Sequence, residues 1–296
     1  MIKFNFYYAT FMYFCVSDLK LKSKPKMNSF KFNFIFVVLA FLSSCSNDDF
    51  SDEFASGTLL SEVRMGNEIY YRYTYTKANF ILEEKSKFHY SKYQYNNRNQ
   101  LIQSDHYWDE RVASSNSVTL ENALNRTEWV NPVNTQKDSY FSFVYQESGN
   151  LEKRIVHRLN NNTSSFDLFR YNSNGKIDRR TWFDDGKESG YDSYSFDEKG
   201  NLIKVERYHI LQNGKHELQT TTEFVFDNKN NPYFSFRSLL IPGQNTNVNN
   251  IVKETYTLHF EVDKFIQPVQ ITEYSYEYNS LDYPVKRSDG WEYNYN

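Results

Sequence analysis

The sequence is poor in the residues that staple or punctuate a fold: two Cys, six Pro and ten Gly in 296 residues. Two cysteines build neither a disulfide framework nor a Cys-rich zinc site. So little Gly and Pro excludes collagen-like and Pro/Gly-rich disordered chains. Charge of one sign is lacking as well: a net charge of −3 and a pI near 6.1 do not suggest a nucleic-acid binder. No Gly-x-Ser-x-Gly, P-loop or dinucleotide motif occurs, and the six His form no His-x-x-x-His pair. Asp184-Asp185-Gly186-Lys187-Glu188 lacks the alternating order of a calcium loop and reads as a turn. No catalytic residue, metal ligand or cofactor is therefore implied. Paired carboxylates of the kind that hydrolyse glycans are available, but none is singled out.

Aromatic residues are abundant, at 18% of the chain, and they argue for a packed core. The N-terminal region has a different character. The apolar run Phe34–Leu42 is nine residues long, short of the ~20 that a spanning helix needs. Lys26 and Lys31 precede it and Leu42-Ser43-Ser44-Cys45 ends it, which is the layout of a secretory signal. A signal starting at Met27 has ordinary proportions, so residues 1–26 are expected to be an upstream leader, the alternative being a short membrane-associated segment.

The string Leu42-Ser43-Ser44-Cys45 resembles the lipobox of bacterial lipoproteins. The resemblance implies a signal peptide over 27–44, acylation of Cys45 and a bilayer as partner; the alternative is a plain secretory signal with an incidental Cys. Several acyl chains at ~0.8 kcal/mol per buried methylene hold a protein on a membrane. Cleavage removes six Lys and one Asp, leaving 28 Lys and Arg against 36 Asp and Glu. Residues 45–57 are then an acidic, flexible tether (Ser46-Asn47-Asp48-Asp49-Phe50-Ser51-Asp52-Glu53). An acidic stretch just after the lipidated Cys resembles the surface-export signal of Bacteroidota lipoproteins. It implies an outer-membrane, surface-exposed protein, with a periplasm-facing one as the alternative.

From residue 58 onward the chain repeats itself. Copies aligned on a first aromatic start at Tyr73, Tyr93, Phe143, Phe169, Tyr194, Phe224, Phe260 and Tyr276. Two residues on stand Tyr75, Tyr95, Tyr145, Tyr171, Phe196, Phe226, Val262 and Tyr278, far more aromatic than composition predicts. Six residues on stand Asn79, Asn99, Gly149, Gly175, Gly200, Asn230, Ile266 and Asp282, mostly types that tolerate a left-handed backbone. Eight residues on, every position is apolar: Ile81, Leu101, Leu151, Ile177, Leu202, Pro232, Pro268 and Pro284. Each copy therefore reads as a β-hairpin, with alternate aromatics on one face of a strand and a type I turn closed by a left-handed residue. An insertion is expected around 109–138, with a short helix near Val118–Asn125, and a long loop around 237–252.

This pattern resembles the YD repeat of the RHS family, whose unit is roughly Tyr-Asp-x-x-Gly-Arg-Leu. The Asp column reads Thr76, Asn96, Gln146, Asn172, Asp197, Asp227, Asp263 and Asn279, so only three are Asp, and the Arg column is nearly empty. RHS proteins build far larger shells around toxins, and no toxin or protease segment is visible here. The resemblance carries over the style of fold and no activity.

The expected fold is all-β, an antiparallel hairpin meander of about sixteen strands curled into a trough, a spiral or a barrel-like sheet. Ten residues into the copies stand Lys153, Arg179, Lys204 and Lys286, either long side chains lying over aromatic faces or a stripe for an anionic ligand. The expected function is a membrane-anchored scaffold or binding surface for protein or glycan, without catalysis and without nucleic acid. The alternatives are a glycan-active enzyme and an envelope-assembly or immunity-type factor.

Overall fold

The computed structural model describes residues 58–108, 129–160, 162–260 and 267–296. The leader, the signal, Cys45, the tether and the helix expected near Val118–Asn125 lie outside these residues. Among the described residues, seventeen strands follow in chain order. They are β1 (Leu60–Met65), β2 (Glu68–Tyr75), β3 (Ile81–Ser86), β4 (His89–Tyr95), β5 (Leu101–Trp108), β6 (Ser139–Tyr145), β7 (Leu151–Arg158), β8 (Thr163–Tyr171) and β9 (Ile177–Asp184). Next come β10 (Lys187–Phe196), β11 (Leu202–Ile210), β12 (His216–Asn230), β13 (Asn249–Leu258), β14 (Val269–Glu273), β15 (Tyr276–Tyr278), β16 (Pro284–Arg287) and β17 (Trp291–Tyr295). Two 3-10 helices, Pro232–Leu239 and Gln244–Thr246, stand between β12 and β13.

All strands belong to one antiparallel sheet. Each pairs with the next from β1 to β14, β15 pairs with β16 and β16 with β17, and β17 returns to β1. Among the described residues no ladder joins β14 to β15, so the sheet is not closed into a barrel, yet only Tyr274 and Ser275 separate these two end strands. At about 4.8 Å per strand a flat sheet of this size holds its ends roughly 75 Å apart. Two residues span about 7–10 Å. The sheet must curl until its ends meet.

Six hairpins share one design. Thr76 N–H donates to Phe80 O (2.8 Å) and Asn79 N–H to Thr76 O (3.1 Å), and the turns at 96–100, 146–150, 172–176, 197–201 and 279–283 repeat both bonds. Asn79, Asn99, Gly149, Gly175, Gly200 and Asp282 all have φ between 60° and 95°. At the position where the YD unit has Asp, the side-chain oxygens of Asn96, Asn172 and Asn279 accept from two backbone N–H groups of their own turn. Asp197 accepts from Asn201 N–H. Asn replaces Asp there because the turn uses the oxygen and not the charge. A seventh turn of this kind, Leu211–Lys215 with Gly214 at φ 78°, lies at the opposite end of the sheet and belongs to no recognised copy.

Each of the six hairpins also shifts register just before its turn, where Tyr75 faces Ile81, Tyr95 Leu101, Tyr145 Leu151, Tyr171 Ile177, Phe196 Leu202 and Tyr278 Pro284. At Tyr95, Tyr145 and Tyr171 the second aromatic then binds a copy to the one before it, and Tyr75 and Tyr295 make the same kind of bond outside that succession. Tyr75 OH donates to Leu60 O (2.6 Å), Tyr95 to Ile81 O (2.8 Å), Tyr145 to Leu101 O (2.8 Å), Tyr171 to Leu151 O (3.1 Å) and Tyr295 to Pro284 O (2.6 Å). Phe196 has no hydroxyl to do so, and Tyr278 donates to Asp227 instead.

Two copies depart from the expectation. Asn230 closes no turn: it ends the long strand β12, and Phe226 lies within that strand opposite Ile251. Asn231 caps a 3-10 helix that Pro232 begins, its side chain accepting from Tyr233 N–H. Proline's fixed φ and missing N–H suit a helix's first residue as well as a strand's. The copy at Phe260 is no strand start either; Val262 and Ile266 lie outside the described residues, and β14, after Pro268, pairs back onto β13. The loop expected over 237–252 is instead the end of one 3-10 helix, a second one and the start of β13. This segment plugs the curled sheet. Tyr233 and Phe236 join Leu60, Val63, Tyr73, Ile81, Tyr93, Leu101 and Tyr293 in one cluster. Leu240 and Ile241 pack on Leu151, Phe169, Ile177, Tyr194 and Leu202 in the other. Buried asparagines hold it in place: Asn247 accepts from Leu202 N–H (2.7 Å), and Asn201 from Val248 and Asn249 N–H.

Candidate functional site

The register shift has a chemical consequence. It places position eight and position eleven of a copy on the same, core-facing side. Position eleven carries Glu84, Ser104, Arg154, Arg180 and Arg287, and two residues before the first aromatic stand Ser91, Asp167 and Asp192. These columns meet below the apolar clusters as a polar layer.

Its larger part is an ionic chain across five strands. Arg154 Nε lies 2.8 Å from Asp167 Oδ2, and Arg180 Nε lies 3.1 Å from the same oxygen. Arg180 Nη1 reaches Asp192 at 4.0 Å, and Arg207 binds Asp192 with both Nε (2.9 Å) and Nη2 (3.2 Å). Arg154, Asp167, Arg180 and Asp192 are buried. Burial alone would raise the carboxyl pKa of Asp167, but Arg154 and Arg180 outweigh it and hold it below the usual range. Trp182 spreads beneath Arg180 and Arg207 across Gly190, where an added Cβ would stand 2.7 Å from the indole.

The smaller part is a Ser-His-Glu grouping. Ser86 Oγ lies 3.1 Å from His89 Nδ1, and His89 Nε2 lies 2.8 Å from Glu84 Oε1. It is not built as a nucleophile. Ser86 is fully buried, its hydroxyl donates to His89 O (2.9 Å), and it accepts from Phe88 and His89 N–H to close the β3–β4 turn. Beside it, His106 sits between Ser91 (Nδ1, 3.0 Å) and Ser104 (Nε2, 2.9 Å). Burial, then His89 and Arg154, push its pKa down to about 3 against a smaller opposing pull from Asp105.

The face opposite the core carries a repeated aromatic pair, three residues before and fourteen after the first aromatic; Tyr90 of the first pair is itself buried. Tyr90 meets Tyr107 (5.5 Å between ring centroids), Tyr140 stacks on His157 (4.2 Å), Phe166 on Phe183 (4.6 Å) and Tyr191 on Tyr208 (4.7 Å). Lys153 lies over Phe166 (3.8 Å) and Arg179 over Tyr191 (3.6 Å). These two basic side chains of the position-ten column cover ring faces, and Lys204 pairs with Glu206 (2.8 Å). A cleft of about 250 Å³ lies beside β15 and β16, lined by Ser275, Tyr276, Arg287 and Gly290 among others.

Of the residues singled out from sequence, Asn79, Asn99, Gly149, Gly175, Gly200 and Asp282 lie in turns and Tyr75, Tyr95, Tyr145, Tyr171, Phe196 and Tyr278 end the strands before them, whereas Asn230 and Phe226 belong to β12 and Cys45 lies outside the described residues. The ionic chain and the His106 pocket were missed. The signal was present as Arg at position eleven beside Asp two residues before the aromatic. No group of His, Cys, Asp and Glu suited to a metal occurs among the described residues, and none of their helices is long and apolar enough to cross a membrane.

Fold and site together define a single-sheet antiparallel β-repeat protein with a self-plugged interior. No protein-family model matches the chain, and no curated protein matches it in sequence. Similar solved structures include a porin-like protein from Bacteroides uniformis, at 10% identity and TM-score 0.38, with 81% of this chain and 99% of that chain covered. A porin-like protein from Bacteroides vulgatus has 14% identity and TM-score 0.37 with the same coverage. A Photorhabdus luminescens Tc holotoxin pore chain shows 13% identity and TM-score 0.27 over 71% of this chain, which spans 10% of that one.

Proposed function

We propose that the chain is an outer-membrane lipoprotein, acylated at Cys45, whose β-repeat is a non-enzymatic scaffold presenting its solvent face to a protein or glycan. The observation that carries this reading is the Leu42-Ser43-Ser44-Cys45 string at the end of an apolar run, fifteen residues ahead of the first strand at Leu60 in the sequence. The solvent face supports an aqueous setting for the sheet. Lys85, Lys92, Lys153, Arg179, Lys204, Glu206, Glu223 and Lys253 stand on it, where a transmembrane barrel carries an apolar band. The acids of the buried ionic chain, Asp167 and Asp192, are taken up by Arg154, Arg180 and Arg207, which favours a structural role for that layer and binding on the exterior.

Membrane partition of a Cys45→Ala variant tests the anchor: the variant is expected in the soluble fraction, and retention in the membrane refutes acylation at Cys45. Protease shaving of intact cells tests display, where full protection counts against an outward orientation. A glycan array run beside a hydrolysis screen separates binding from catalysis, and release of reducing ends defeats the non-enzymatic reading.

A further inference from the structure

The open end of the ladder exposes a strand edge. Leu258 N–H donates to Pro268 O and Tyr274 N–H to Val252 O, each at 2.8 Å. With the β13–β14 register, these bonds direct the backbone groups of Gln270 and Thr272 toward β13. The N–H and C=O groups of Val269, Ile271 and Glu273 therefore point the other way. The next residue in that outward row, Ser275, is engaged: its carbonyl accepts from Ser288 N–H (2.8 Å) and its N–H donates to Ser288 Oγ (3.1 Å). Among the described residues no ladder continues past it along β14. Glu273, ion-paired with Lys253 (3.4 Å), is the one charged side chain in this outward row, and the other two are apolar. Val269 is 48% and Ile271 58% exposed, with Val225 two strands away at 53%. No Lys or Pro stands within β14. Natural sheets usually protect such a strand.

We propose that β14 is an interaction edge for a second copy of this chain, the two β14 strands pairing antiparallel about a two-fold axis at Ile271. The edge is self-complementary in that arrangement. Val269 faces Glu273 of the second copy, Ile271 faces Ile271, and Glu273 faces Val269. Each is a pair in which both residues direct N–H and C=O outward, so every free group of the edge finds a partner. The two Ile271 side chains meet on the solvent face as a cross-strand apolar pair. Pro268 bounds the paired stretch at one end and Ser288 at the other, so the contact is three residue pairs long and its register is fixed. An edge this short makes a reversible dimer.

Cross-linking of the full-length chain carrying Ile271→Cys tests the proposal. Hydrogen-bonded antiparallel pairs hold Cα atoms about 5.5 Å apart, inside the roughly 4.4–6.8 Å range of disulfides. Mild oxidation is expected to give a disulfide-linked dimer roughly tenfold faster than in an Ile102→Cys chain, whose exposed cysteine stands on β5 far along the sheet. The unsubstituted chain, with Cys15 and Cys45 alone, sets the background. Equal rates for the two variants overturn the proposal. A cross-linked band of some other mass, without the homodimer, assigns the edge to a foreign strand and overturns it equally. Ile271→Pro removes one outward N–H and no bond to β13. Its native mass is expected to be monomeric at concentrations where the wild type is dimeric, with unchanged circular dichroism. A wild type that is monomeric throughout, or a dimeric Ile271→Pro chain, refutes the pairing.

Discussion

At Tyr95, Tyr145 and Tyr171 a bare ring would fill the same space, so the hydroxyl is what links neighbouring copies. Each donates to a backbone carbonyl that begins the return strand of the preceding copy. Tyr145→Phe is expected to cost about 1–2 kcal/mol, because the carbonyl of buried Leu101 loses a partner as well as a bond. Phe196→Tyr places a hydroxyl where the chain lacks one, toward Ile177 O, and is expected to raise the urea midpoint; a fall shows that the columns are not equivalent. His106 makes a second prediction. Its pKa falls from 6.5 to about 3 on folding, so the unfolded chain binds the extra proton. The stability it contributes is complete above about pH 6.5 and is lost as the pH drops toward 3. Urea titrations of the wild type are expected to show a loss of about 1–2 kcal/mol between pH 7 and 5. A His106→Asn chain is expected to show most of that slope removed, and an unchanged slope in the variant excludes His106 as its source.

Among the elements, hairpin turns and strand faces were legible in the sequence to different degrees. The turns could be read because a left-handed residue at a fixed offset is a local demand, met by Asn79, Gly175 or Asp282 alike. The two faces could not be assigned beyond each turn. The register shift changes parity, so Arg154 and Arg180 share the core side with Leu151 and Ile177, whereas Lys153 and Arg179 lie over solvent-facing rings. Nor does proline at position eight discriminate, since Pro284 begins a strand and Pro232 a helix. Two glycines make the point experimentally. Gly214 needs its positive φ and has open space around it, so Gly214→Ala is expected to cost about 1 kcal/mol. Gly190 sits within β10 because Trp182 and the carbonyl of Tyr208 occupy the place of its Cβ. Gly190→Ala is expected to cost at least about 2–3 kcal/mol and to quench or shift the Trp182 fluorescence. Equal costs at the two sites would mean that the indole does not lie across β10.

For the molecule as a whole, a sheet this long has no core of its own until something occupies its interior. The 3-10 segment provides that, and it touches both apolar clusters: Tyr233 and Phe236 in one, Leu240 and Ile241 in the other. Ser235 and Ser238 of the same segment lie 3.3 Å and 3.0 Å from the hydroxyls of Tyr75 and Tyr95, which places the plug against the tyrosines that link the copies. A curled meander assembled only from neighbouring hairpins would unfold piecemeal, as repeat arrays do. A plug shared by distant hairpins couples them. Phe236→Ala, which deletes a buried ring between Tyr73 and Tyr233, is expected to cost about 3–5 kcal/mol. It is also expected to split a single transition into two, seen as a Trp fluorescence curve that no longer coincides with circular dichroism. Coincident curves in the variant would place the coupling in the strand ladder itself, with the plug only filling space.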